Sequence, residues 1–249
     1  MSETTETAVA PTVRNFEILK YLLNTISGRD KLAKLLKCVL DLIKKLTTSF
    51  NSVIRLKGTT LQTVSNVARE LTIFRFLLRF GLLPFKVSKF ATSLGSLQNA
   101  TGKVSRKSIV DEPLTQDAID VYKAVFDELD LLYRLGVYRD SATYAVVTRH
   151  TQLATEYDTL LNLRKNWRKL QQQQHGSSDV CAVKMELVRL SMDLATNSMD
   201  LFAVESMPMF KEYRAYVSLL YTTMAIVSSA LSVVKLWTTT KQDLVAAKQ

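Results

Sequence analysis

The chain has 249 residues, of which 47% are hydrophobic and 22% charged, and its formal net charge is +10 at pH 7. The hydrophobic content excludes a disordered chain, and the 7 Gly and 4 Pro leave little material for the turns of an all-β or Rossmann-like protein. Because Leu, Ala, Lys, Arg and Gln favour helices, the composition predicts an all-α protein.

The positive charge belongs to the N-terminal half of the chain. Residues 1–110 contain 18 Lys or Arg against 6 Asp or Glu, whereas residues 111–249 contain 15 against 17. Such a field attracts anionic surfaces, either nucleic acid or a phospholipid leaflet. The two cysteines have no CxxC spacing, so neither a disulfide framework nor a zinc site is indicated.

Changes in composition divide the chain into four regions. Residues 1–12 are a polar tail that fits neither a secretory signal nor a transit peptide. Residues 13–92 are predicted to be a basic helical region, and residues 93–114 a basic linker, since Ser, Gly, Asn and Lys become frequent there. Residues 115–249 form the C-terminal helical region. The expected architecture is a bundle of long amphipathic helices with a C-terminal hydrophobic membrane helix.

Apolar residues that recur three and four positions apart predict the individual helices. We expect Ser27 and Gly28 to end the first helix and Pro84 to end the third. The predicted helices before the last hydrophobic segment cover about residues 15–25, 30–55, 61–83, 115–138, 142–170 and 180–204.

The last hydrophobic segment, at about residues 215–237, contains twenty consecutive uncharged residues, 215–234. That is the length a helix needs to cross a bilayer. Tyr213 and Trp237 flank it, where interfacial aromatic residues are common. Its six Ser and Thr residues lower its hydrophobicity, so a buried helix of a soluble bundle remains an alternative.

The helix predicted at about residues 61–83 combines Phe and Leu with arginines along its remaining edge. Such a helix suits the headgroup boundary of an anionic membrane. The alternative is a core helix whose aromatic side chains pack inward while the arginines snorkel, and the sequence leaves both open. In the membrane hypothesis the apolar residues wedge among acyl chains and the arginines meet phosphates. The hypothesised membrane-binding residues are Arg69, Phe74, Arg75, Phe76, Leu78, Arg79 and Phe80.

Two other charged patterns have plain explanations. Five lysines of the helix at 30–55 fall mainly away from its apolar seam, and a solvated surface is as reasonable there as a binding face. Asp127, Glu128 and Asp130 lie on the helix at 115–138, where we expect a solvated acidic edge rather than acid/base or metal chemistry.

Motifs for enzymatic chemistry are missing from the sequence. It contains no GxxxxGK[ST], no GxGxxG and no HExxH. His150 and His175 are expected to be surface residues, since neither has a cysteine or carboxylate pattern beside it. We therefore predict no catalytic residue, metal or cofactor, and a protein that is not an enzyme.

Four blocks of sequence together resemble the peroxin-eleven family. The first contains Gly28-Arg29-Asp30-Lys31 between a short helix and a Leu-rich amphipathic helix. The second is the Arg and Phe block at residues 74–81, which ends in Gly. The third is the Leu-Gly segment at residues 129–138, and the fourth is the Ser-rich stretch that runs from Ser228 to Trp237.

The resemblance implies a peroxisomal membrane protein, with the basic half facing the cytosol, that elongates the organelle and promotes its proliferation and fission. It also implies self-association into a homo-oligomer and cooperation with dynamin-type fission machinery. The expected partner surface is an anionic phospholipid membrane, and no nucleic acid is expected. The alternatives left open by the residues are an all-α basic nucleic-acid-binding protein and a soluble helical adaptor.

Overall fold

The computed structural model describes residues 14–49, 57–101, 112–172 and 178–248, and these form helices joined by short turns, which confirms the all-α prediction. Two short 3₁₀ turns, Val204–Ser206 and Pro208–Phe210, precede the last helix. The eight α-helices of the described ranges are α1 (Asn15–Asn24), α2 (Ile26–Ser49), α3 (Gly58–Arg79), α4 (Leu83–Thr101), α5 (Glu112–Arg134), α6 (Ser141–Gln172), α7 (Ser178–Leu201) and α8 (Arg214–Ala246).

Six of the helices form a closed series of neighbours. Helix α2 packs between α3 and α8, and the series continues from α3 through α5, α6 and α7 back to α8. Helix α4 packs on α5, and α1 packs on α2 and α8. Many buried side chains are small, among them Ala33, Ala68, Ala124 and Ala154, which allows neighbouring helices to approach closely.

The third predicted helix, at about residues 61–83, ends earlier than expected, at a turn formed by residues 80–82. Helix α3 ends at Arg79, and Gly81 has φ +79°, a left-handed conformation that glycine adopts without steric cost. Its N–H donates to Glu128 Oε1 at 3.1 Å, which ties the turn to α5. Pro84 follows as the second residue of α4, where no N–H is needed. The break therefore comes from Gly81 rather than from Pro84.

Helix α4 continues to Thr101 and α5 begins at Glu112, so both ends of the predicted linker at 93–114 are helical. The basic run at residues 103–107 lies outside the described residues. At the other predicted boundary, Ser27 and Gly28 belong to the first turn of α2 instead of ending α1, and Thr25 separates the two helices in an extended conformation.

Candidate membrane-binding surface

The arginines predicted to meet phosphates divide into one exposed residue and two that are held inside the bundle. Arg75 Nε donates to Asp30 Oδ1 at 3.0 Å, and Arg79 Nη2 donates to Asp30 Oδ2 at 2.8 Å. Arg79 Nη1 also lies 3.5 Å from Asp127 Oδ2. These pairs join α2, α3 and α5. Arg69 is largely exposed and forms an ion pair with its neighbour Glu70.

Burial and pairing act in opposite directions on the pKa values of these groups. Burial raises the pKa of Asp30, but the attraction of Arg79 and Arg75 outweighs it, so the pKa lies below its usual value. For Asp127 burial is the dominant cause, and its pKa is raised although Arg79 and Lys123 counteract the shift. Both carboxylates are partners of α3 arginines, so the expected solvated acidic edge is wrong at Asp127.

Asp130 corrects the same expectation in a second place. Its carboxylate is buried and accepts from Arg134 Nε at 3.1 Å. Asp127 and Asp130 are three residues apart and therefore share the inner face of α5. The guanidinium of Arg134 also lies over the ring of Phe76, 5.2 Å from its centroid. Phe76, one of the predicted membrane wedges, thus contacts α5.

The four residues 28–31 contact four different surroundings. Gly28 lies so close to α1 that a Cβ at this position would be 2.0 Å from the carbonyl oxygen of Leu22, so only glycine fits. Arg29 Nε donates to the carbonyl oxygen of Leu23, near the C-terminus of α1. Asp30 accepts from the α3 arginines, and Lys31 lies against α7 and α8. This block is therefore the junction of α1, α2, α3 and the C-terminal helices.

An apolar surface remains open on α3 and continues past the turn. The outward positions of α3 are spaced three and four residues apart, so they form one stripe along the helix. Phe85, at the start of α4, is 74% exposed. Leu78, four residues after Phe74, is half-buried. The exposed apolar residues of this surface, called the α3–α4 surface below, are Val67, Phe74, Leu77, Phe80 and Phe85.

Helix α8 turns most of its hydroxyls inward and several of its apolar side chains outward. Thr222, Ser228, Ser229 and Ser232 are buried, whereas large apolar residues of the same stretch are exposed. Within the described chain α8 is the one helix long and apolar enough to cross a membrane, with a mean hydropathy of 1.8 over 18 residues, of which 22% are buried. The exposed residues are Tyr216, Leu220, Val227 and Val234.

The lysines of α2 are used largely inside the bundle. Lys34 Nζ lies 3.2 Å from Asp193 Oδ1 of α7. Lys45 donates to the carbonyl oxygen of Ser218 in α8 and lies over the ring of Tyr221. A continuous solvated lysine face is therefore not present on the described part of α2.

Other candidate groups point to structural roles. His150 forms a hydrogen bond with the Tyr122 hydroxyl and stacks on Phe126 with ring centroids 4.9 Å apart. His175 lies outside the described residues. In the described ranges, no three His, Cys, Asp or Glu side chains come together as a possible metal site.

The ion pairs of Asp30 with the α3 arginines could not be predicted from spacing in the sequence, because Asp30 and Arg75 are 45 residues apart. Val67, Leu77 and Phe85 of the α3–α4 surface are also absent from the predicted site. For Leu77 the signal was available: it lies three residues after Phe74, on the same face of α3.

Comparison with known proteins places this chain beside a peroxisomal membrane protein. No family model matches the chain, and no solved structure matches it. The peroxisomal membrane protein PEX25 of Saccharomyces cerevisiae is 32% identical over 197 residues, a match that covers 64% of this chain and 50% of PEX25. The chain thus spans about half the length of the curated relative that it matches.

Proposed function

We propose that the chain is a member of the peroxin-eleven family and a peroxisomal membrane protein of peroxisome biogenesis, and its similarity to PEX25 supports this. It binds the membrane through the α3–α4 surface and favours curvature, thereby promoting elongation, proliferation and fission of the organelle. The observation that carries the proposal is the open apolar surface of α3 and α4.

The α3–α4 surface has the chemistry of a membrane wedge. Its Phe and Leu side chains project from two consecutive helices that meet at the Gly81 turn. An apolar helix face of this kind enters the boundary between headgroups and acyl chains. Insertion into one leaflet expands that leaflet relative to the other, which favours curvature.

In this proposal the three arginines of α3 do not all contact phosphates, contrary to the prediction from the sequence. Arg69 is exposed and available to phosphates, and a cation near an anionic surface contributes about 1 kcal/mol. Arg75 and Arg79 instead position α3 on α2 by pairing with Asp30. They fix which face of α3 remains outward, so the apolar residues rather than these arginines contact the lipid.

Helix α8 supplies the second membrane contact in the proposal. Its outward apolar residues and its uncharged length suit an anchor. The basic half of the chain then faces the cytosol, where anionic lipids attract it. Self-association concentrates the wedges, and dynamin-type machinery acts on the elongated membrane; these two parts rest on the family resemblance.

The test compares two leucines of similar exposure. Leu77 on α3 is 49% exposed and Leu160 on α6 is 44% exposed. We expect Leu77→Glu to weaken flotation of the full chain with anionic vesicles and to abolish their tubulation, because a carboxylate in the wedge is repelled and must be desolvated. Leu160→Glu should leave both unchanged. Equal behaviour of the two variants contradicts the assignment of the α3–α4 surface.

The same variants test the cellular role. In cells that lack the protein, the unchanged chain and Leu160→Glu should localise to peroxisomes and restore their number and size. Leu77→Glu should localise through α8 but leave the organelles few and enlarged. Restoration by Leu77→Glu contradicts the wedge mechanism while leaving the peroxisomal location standing.

A further inference from the structure

A cavity of about 280 Å³ lies between the first turns of α2, the N-terminal half of α7 and the C-terminal part of α8. Its charged lining consists of Lys31, Glu186, Arg189 and Lys235. The volume is several times the ~30 Å³ that a water molecule occupies in the liquid, so a phosphate group fits.

The cations around this cavity outnumber the carboxylates. Arg189 is held by Glu186 at 2.7 Å and by Asp193 at 2.7 Å, and Lys235 lies 3.1 Å from the same Glu186. Asp193 also forms an ion pair with Lys34. Asp158 also lies near Arg189 but is paired with Lys123. Counted together, the cations Lys31, Lys34, Lys123, Arg189 and Lys235 face three carboxylates and keep two positive charges in excess.

Lys31 is the centre of the excess. It makes no ion pair or hydrogen bond with any residue that the structure describes, and the adjacent Asp30 is already shared by Arg75 and Arg79. Burial and the nearby Arg189 lower the pKa of Lys31, because both disfavour its charged form. An anion bound in the cavity stabilises the charged form of Lys31.

The cavity lies at the end of the uncharged stretch of α8, where a membrane-bound helix would meet the lipid headgroups. Lys235 is the first charged residue after the uncharged stretch at 215–234 of α8, so it lies where the hydrocarbon of a membrane would give way to headgroups. A second cavity of about 270 Å³ shares Glu186 and Lys235 with the first. Its lining combines apolar residues, among them Val183, Leu231 and Val234, with the polar Asn166, Thr238 and Gln242. The two neighbouring cavities can therefore hold a phosphate group and an acyl chain side by side.

We propose that this cavity binds the phosphomonoester headgroup of an anionic phospholipid, of which phosphatidic acid is the simplest. A phosphomonoester carries about −1.5 to −2 charges at pH 7, which matches the two excess positive charges. The inference rests on the proposed function, since it assumes that the chain meets a membrane. It adds a headgroup preference to the non-selective apolar wedge.

The experiment measures flotation of the full chain with two kinds of phosphatidylcholine vesicle. One contains phosphatidic acid and the other phosphatidylglycerol, a phosphodiester, at contents adjusted to equal surface charge. The variants are Lys31→Gln, Lys235→Gln and, as the control on the same helix as Lys235, Lys241→Gln. Lys241 is exposed and lies outside the cavity lining. Lys31→Met, which keeps the aliphatic stem, replaces Lys31→Gln if thermal melting shows that the latter is unstable.

We expect the unchanged chain to prefer phosphatidic acid, and Lys31→Gln to lose that preference by lowering phosphatidic acid binding about fivefold, the effect of one near-surface cation. Lys235→Gln should act in the same direction, and Lys241→Gln should keep the preference. Identical behaviour of the Lys31 and Lys241 variants overturns the proposal.

Two further outcomes separate the possible failures. If the unchanged chain binds both vesicles equally but Leu77→Glu does not bind, the cavity assignment fails and the proposed function stands; if the unchanged chain binds neither, both fail. The last measurement is the melting temperature of the chain with soluble glycerol 3-phosphate. If it raises the melting temperature through Lys31 while no vesicle preference exists, the cavity is a site for a soluble phosphomonoester and the lipid assignment is overturned.

Discussion

Replacing Asp30 by Asn should destabilise the bundle more than any other loss of a single charge on α2. The carboxylate is 18% exposed and accepts from both Arg75 and Arg79. Removing one partner of a fully buried pair costs about 3–5 kcal/mol, and an exposed pair contributes about 0–1 kcal/mol. Because these groups are partly exposed and Arg79 retains Asp127, we expect a loss of about 2–3 kcal/mol.

In a chain of this size that loss lowers the melting temperature by about 5–10 °C. The assay is thermal unfolding of the purified chain in mild detergent, followed by circular dichroism. The control is Asp41→Asn, also on α2, whose carboxylate is 31% exposed and pairs with Lys37 one turn away. Such a pair contributes about 0.3–0.5 kcal/mol, so the control should melt within about 2 °C of the unchanged chain.

The pH dependence gives an independent check on the same residue. Since the folded-state pKa of Asp30 is lowered, its contribution is complete above the ordinary value of 3.8 and is lost as the pH falls through the lower folded value. The difference in stability between the unchanged chain and Asp30→Asn should therefore shrink in acid. A constant difference, or equal melting of the Asp30 and Asp41 variants, refutes the reasoning.

Two smaller predictions use matched pairs and the same melting assay. Gly28→Ala should lower the free energy of unfolding by about 1–3 kcal/mol, because the new Cβ meets a carbonyl oxygen of α1. The control Gly95→Ala lies in open space within α4 and should raise the free energy of unfolding by about 0.5–1 kcal/mol. A neutral Gly28 variant would contradict the close approach of α1 and α2. Ser228→Ala should cost about 1–2 kcal/mol because its hydroxyl donates to Asp193 at 2.5 Å, while Thr223→Ala, which is exposed, should be nearly neutral, and equal losses would count against an inter-helix role.

Helix content and order were predictable because apolar periodicity and scarce Gly and Pro are local signals. The boundary at Gly81 was missed because a positive φ leaves no mark on apolar spacing, whereas Pro84 is conspicuous yet well placed in a first helical turn. The face that α3 turns outward depends on Asp30, a partner on another helix. Charges that looked solvated, such as Asp127, are paired with residues far away in sequence, and only the assembled bundle reveals them.

The direction of the hydroxyls on α8 bears on how this helix can leave the bundle. Thr222, Ser229 and Ser232 each donate to a carbonyl one turn earlier in the same helix. Among the buried Ser and Thr residues of the uncharged stretch, Ser228 is the one that donates to a different helix. Most of the polar groups therefore keep their partners when α8 moves as a unit, and transfer from protein to lipid exposes a single unpaired hydroxyl rather than four.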